Sequence, residues 1–147
     1  MPILDGAKNY GGMTADDVKS RLREYRRTCR RCEETQRRID DRRANMAGNR
    51  YMSTAALDDT LEQIAELERR LHAEEAARDA ALEDVKTLIG MAADRTGKTI
   101  LQMRYIDGVR FETIPDKLFL CDRTMWRHYN RAIREIVAAG EKLTADG

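Results

Sequence analysis

Residues 104–136 read RYIDGVRFETIPDKLFLCDRTMWRHYNRAIREI, and this stretch decides the fold. An apolar helix end at Tyr105-Ile106 runs into Asp107-Gly108. A short amphipathic segment follows (Phe111, Ile114, Leu118), then a break at Phe119-Leu120-Cys121. A second helical pattern carries Arg123, Arg127, Arg131 and Arg134 along one side. This layout predicts a helix-turn-helix whose second helix is able to enter the DNA major groove.

The chemistry of each position supports that reading. Gly108 permits the tight backbone needed after a helix end. Phe111, Ile114 and Leu118 are spaced to face a shared core, and Met125, Ala132 and Ile136, with Ile133 beside them, supply the opposing surface. Cys121 or Asp122 stands where a helix cap is needed, with Thr124 in the first turn. Subtracting the buried stripe leaves Asp122, Arg123, Trp126, Arg127, Asn130 and Arg131 outward. Arginine binds guanine edges or grips phosphate, and asparagine reads adenine. Residues 95–134 hold 9 basic and 4 acidic side chains, a net of +5 that suits phosphate contacts. A helical piece from about Thr96 to Ile106 completes a three-helix DNA-binding unit over residues 94–139. Gly140 is expected to end the last helix, leaving 140–147 as a flexible polar tail.

Working outward, residues 14–93 predict a long antiparallel helical hairpin, so the fold class is all-α. Thr14 is a good N-cap, with Asp16 and Asp17 complementing the helix dipole. Steps of four and three then pick out Val18, Leu22, Tyr25, Cys29, Cys32, Gln36, Ile39, Arg43 and Met46, a heptad seam with two polar interruptions. Ala47-Gly48-Asn49 ends this helix, and Ser53 or Thr54 caps the next. Leu57, Leu61, Ile64, Leu67, Leu71, Leu82, Val85, Leu88 and Ile89 form its apolar stripe, weakened in the middle by Glu74, Glu75 and Arg78. Residues 14–47 hold 11 basic and 7 acidic side chains, net +4, and residues 54–87 hold 4 basic and 10 acidic, net −6. Opposite charges flanking a seam set partner and register. A two-helix hairpin leaves its seam half covered, which favours a homodimer through it. Residues 1–13, with Gly6, Gly11 and Gly12, read as a flexible lead.

Composition bounds the function class. Aromatics are 5% and charged residues 36%, which is thin for a large core but typical of long solvated helices. The net charge of +1 argues against DNA binding by bulk charge alone, so local segregation matters more. No apolar run is long enough for a signal peptide or a membrane span. The three cysteines, an odd number, fit a reducing compartment. A cytoplasmic protein without membrane association is expected.

The stretch ILQMRYIDGVRFETIPDKLFLCDRTMWRHYNRAIREI (residues 100–136) resembles the region-4 helix-turn-helix of sigma-70-like factors. With the charged hairpin before it, the chain resembles phage sigma-like regulators of the ArpU/RinA type. Leu101, Arg104, Tyr105, Gly108, Ile114, Leu118, Arg123, Thr124 and Ala132 match the family pattern. Pro115 replaces the usual alanine, Phe119 the turn glycine and Cys121 the capping serine. Pro115 moves the start of the motif's first helix to near Thr113. Phe119 does not take a positive backbone angle cheaply, so an altered turn is expected. The resemblance implies a transcription activator of late genes in the bacterial host cytoplasm, acting on double-stranded DNA with host RNA polymerase as a further partner. It implies base contacts from Asp122, Arg123, Trp126 and Arg127 and phosphate contacts from Lys117 and Arg131.

Blander readings compete at several positions. Cys29-Arg-Arg-Cys32 looks like half a zinc site, but no second Cys/His pair follows at zinc spacing, so packing is the better reading and no metal is expected. His72 reads as a surface residue. His128 either borders the motif's core or touches a phosphate, and Trp126 either packs on a partner surface or lies on DNA. Glu62, Glu66, Glu68, Glu74 and Glu75 read as solvation and hairpin pairing. No phosphate loop or triad spacing occurs, so neither an enzyme nor a cofactor is expected. From another class, a phage small terminase subunit also joins a helix-turn-helix to an oligomerising helical region. A protein-interaction coiled coil without a DNA role is the remaining alternative.

Overall fold

The structure is a computed structural model and describes residues 9–146. Helix is the only regular secondary structure among them: α1 (Ala15–Gly48), α2 (Thr54–Gly90), α3 (Arg95–Tyr105), α4 (Ile114–Leu118) and α5 (Asp122–Asp146). The chain is therefore all-α. None of these helices is long and apolar enough to cross a membrane. The contacts of the described residues group into two compact units, one formed by residues 9–26 with 81–146 and the other by residues 27–80. The base of α1 and the end of α2 thus share a core with α3, α4 and α5.

The local signals explain most helix ends. Thr14 and Asp17 cap α1 reciprocally: the Asp17 amide donates to Thr14 Oγ1 at 3.1 Å, and the Thr14 amide donates to Asp17 Oδ2 at 2.9 Å. Ser53 Oγ accepts from the Ala56 amide at the start of α2. α4 begins at Ile114 with Pro115 in its first turn, where a missing amide hydrogen costs nothing.

The core of the larger unit takes Val18 and Leu22 from α1 and Val85, Leu88 and Ile89 from α2. Ile100, Leu101 and Tyr105 come from α3, Ile114 from α4, and Met125, Tyr129, Ala132, Ile133 and Ile136 from α5. α3 and α5 cross closely at Gly97, where an added Cβ would lie 2.7 Å from Ala132 Cβ and 2.8 Å from the His128 carbonyl oxygen. The Tyr105 and Tyr129 hydroxyls hydrogen-bond at 2.7 Å inside this core, and burial pushes both phenols above their ordinary values.

Two expectations about the ends are corrected. The lead of 1–13 is packed where it is described, while residues 1–8 lie outside the described residues. Met13 is buried, and the Tyr10 hydroxyl donates to Asp84. Arg21 ties the segment down by donating to the Asn9 carbonyl at 2.8 Å while pairing with buried Asp84. Gly140 does not end α5, which continues to Asp146, so 140–146 is not an irregular tail. A Cβ at Gly140 would fall 2.1 Å from the Tyr10 carbonyl oxygen, so this glycine admits the N-terminal backbone instead of stopping a helix.

In the smaller unit, the seam departs from the heptad. Thr28, Cys32, Thr35 and Ile39 are buried, whereas Gln36 and Arg43 are exposed. The step from Tyr25 to Thr28 is three where the heptad demands four, and the stripe rotates accordingly. Leu57 and Leu61, expected on the buried stripe of α2, are exposed, and Ile64 is its buried member in this unit. Cross-links join Thr35 to Glu74, Arg42 to Gln63 and Arg43 to Glu68. Burial pushes the Cys32 thiol up, and the described residues hold no group of three or more His, Cys, Asp or Glu able to bind a metal.

Replacing Gly97 with alanine should destabilise the fold by about 1–3 kcal/mol, because two backbones would have to separate. Urea unfolding followed by circular dichroism measures this. An unchanged midpoint would show that the crossing is looser than described.

Candidate nucleic-acid interface

α5 is amphipathic in a way that separates packing from exposure. Met125, Tyr129, Ala132 and Ile136 are buried on one side. Arg123, Arg127, Asn130 and Arg134 follow one another at spacings of four, three and four, so they share the opposite side, and all four are exposed. Arg123, Arg127 and Arg134 make no ion pair among the described residues. Three guanidinium groups therefore project from one helix face with their donors unclaimed.

Every residue expected at the interface is exposed, but the surroundings differ. Lys117 lies on α4, and Asp122 is the first residue of α5. Arg131 stands at the edge of the stripe, 3.9 Å from Asp94. Trp126 is 40% exposed and packs at a tilt against Phe111 and edge-on against Tyr129, with ring centroids 4.8 and 5.3 Å away. Its ring is held by an aromatic cluster that Tyr105 also joins. The Arg104 guanidinium lies over the Phe111 ring at 4.8 Å.

The turn before α5 keeps the left-handed backbone despite its phenylalanine. Phe119 has φ 57° and caps α4, its amide donating toward the carbonyls of Pro115 and Asp116. The expectation of an altered turn is thus corrected. The Phe119 side chain is 95% exposed, so its ring offsets none of the strain by packing. Of the two cap candidates, Cys121 takes the position before α5, with Sγ 3.2 Å from Thr124 Oγ1. The Thr124 hydroxyl and amide hold that thiol below its ordinary value.

Asp94 and Glu135, not singled out from the sequence, position α5. Asp94 caps α3 by accepting from the Gly97 amide at 2.8 Å, and His128 Nδ1 donates to the same carboxylate at 2.7 Å. His128 therefore borders the core of the motif. Glu135 accepts from the amides of Ala93 and Asp94 at 3.1 and 2.8 Å. Burial acts to raise the Asp94 carboxyl, but the His128 and Gly97 hydrogen bonds outweigh it and hold the group below the usual carboxylate range. Asp94 before a helical pattern is a readable cap signal. Glu135 has no local signal, because its partners are 41 and 42 residues away.

No protein-family model, no curated protein and no solved structure matches the chain.

Two outcomes test this geometry. Phe119→Gly should stabilise the fold by about 0.5–1 kcal/mol, since glycine relieves the left-handed strain but adds unfolded-state entropy. A loss of stability in thermal unfolding would mean that the ring packs. Because the folded Asp94 carboxyl is depressed, its contribution is complete above the ordinary value of 3.8 and disappears as pH falls through the folded value. The stability advantage over Asp94→Asn should therefore hold from about pH 6 to 5 and close below about pH 4. A gap unaffected by acid would remove the charge from the explanation.

Proposed function

We propose that this protein is a sequence-reading DNA-binding regulator of transcription, with α4 and α5 as a helix-turn-helix and α5 as its recognition helix. The observation that carries the reading is the unpaired stripe of Arg123, Arg127 and Arg134, with Asn130 among them, directly opposite the buried face of α5. A rigid helix presenting guanidinium and amide donors at that spacing suits the edges of bases in a major groove and the phosphates beside it. Arg123, Arg127 and Asn130 take the base-edge roles, and Lys117 and Arg131 the phosphate roles. Asp122 lies at the helix mouth. Trp126 is buttressed by Phe111 and offers its free edge to the DNA.

The order of the cross-links, position 35 to 74 and 42 to 63, supports reading α1 and α2 as an antiparallel hairpin. In this reading the protein activates late genes with host RNA polymerase in the bacterial cytoplasm, which is what the resemblance of residues 100–136 to phage sigma-like regulators implies. The reading makes it a binding protein and not an enzyme.

Selection of bound duplexes from a random pool tests the function. A defined site should emerge, and affinity for it should fall steeply as salt rises. Arg127→Ala should weaken binding to that site by about 1–3 kcal/mol and relax the preference at one position. Failure to enrich any sequence, or an Arg127→Ala variant with the parental affinity, would count against it.

A further inference from the structure

Residues 27–80 bury five side chains: Thr28, Cys32, Thr35, Ile39 and Ile64. Only two of these are large aliphatics, a poor interior for so long a pair of helical segments. The same unit leaves apolar surface bare. Leu57 is 38% exposed, Leu61 47% and Tyr51 95%. Leu57, Leu61 and Ile64 follow at spacings of four and three, so one stripe runs from covered to uncovered. The cross-links explain where cover stops. With position 42 meeting 63 and 43 meeting 68, Leu57 falls opposite positions near or past the end of α1 at Gly48.

Charge indicates what fits there. Residues 54–68 of α2 carry five acidic side chains (Asp58, Asp59, Glu62, Glu66, Glu68) and no basic one. Residues 37–50 carry five arginines (Arg37, Arg38, Arg42, Arg43, Arg50) against Asp40 and Asp41. The bare leucines thus sit beside acidic side chains, while Arg38, Arg42 and Arg43 already meet Glu34, Gln63 and Glu68 within the chain and leave Arg37 on α1 and Arg50 just past its end as the cations open to a second copy. Apposing two α2 segments would set like charges together. Setting α2 of one copy against α1 of another joins opposite charges.

We propose that a second copy of this chain covers the leucine stripe. The arginine-rich end of α1 from each copy lies along Leu57 and Leu61 of the other, in a twofold pairing that satisfies both faces at once. The stems of Arg37 and Arg50 supply apolar cover and their guanidinium groups meet Asp58 and Glu62 of the other copy. This pairing is independent of DNA binding, so either can fail without the other.

Sedimentation equilibrium of the full chain tests it. The expected mass is twice the 16.9 kDa of one chain. Leu57→Gln with Leu61→Gln should remain as helical as the parent and associate at least about tenfold more weakly. Asp58→Arg with Glu62→Arg, and separately Arg37→Glu with Arg50→Glu, should each dissociate. Mixing these two charge variants in equal amounts should restore the dimer. A parent chain that stays monomeric into the millimolar range, a ring of many subunits, or variants that associate as tightly as the parent overturns the proposal. A charge-swapped mixture that remains monomeric overturns it as well.

Discussion

The approach of α5 to α3 at Gly97 is the contact on which the rest of the larger unit depends. Two small residues, Gly97 and Ala132, let the helices come close enough for Met125, Tyr129 and Ile136 to be buried. Once that face is committed to the core, the arginine stripe has no direction open but outward. Two carboxylates then fix the arrangement. Asp94 holds the start of α3 and the His128 ring, and Glu135 reaches from α5 to the amides entering α3. The charge on the core side is thus consumed by helix ends, while Arg123, Arg127 and Arg134 on the far side make no ion pair among the described residues. The same division makes α5 legible as a helix that packs on one side and exposes its arginines on the other.

Features set by neighbouring residues are legible in the sequence itself. Thr14 with Asp17, Ser53 and Pro115 each act through backbone groups within a turn of themselves, so their identities suffice to place helix starts. The core positions Ile114, Met125, Ala132, Ile133 and Ile136 followed from periodicity, and the exposed site residues were what remained after removing them. What escaped was non-local. Arg21 binds Asn9 and Asp84 together, and nothing near residues 9–13 announces that tie. Gly140 carries the signature of a helix stop, yet a glycine required by a passing backbone looks the same in sequence. Phe119 intrinsically disfavours a positive φ, yet it closes α4 at φ 57° between two helices.

The seam of α1 shows a subtler limit. Counting by heptads placed Cys29, Gln36 and Arg43 inside, but a single shortened step after Tyr25 brings Thr28 and Thr35 in. Threonine is ambiguous in such counts because its methyl packs and its hydroxyl seeks a partner. Thr35 finds one in Glu74 across the pair. Glu74 weakens the apolar stripe of α2 and is the acceptor that the Thr35 hydroxyl meets, a pairing role its charge suggests.

That threonine-and-cysteine interior has a dynamic corollary. Amide protons between roughly residues 40 and 60 have little buried hydrocarbon to protect them, while those near Leu22, Leu88 and Ile136 are shielded by a dense core. Opening should begin at the Gly48–Ser53 link and spread up both helices. Residues 27–80 can thus be remodelled at small energetic expense while the cap, turn and arginine row of the larger unit stay folded.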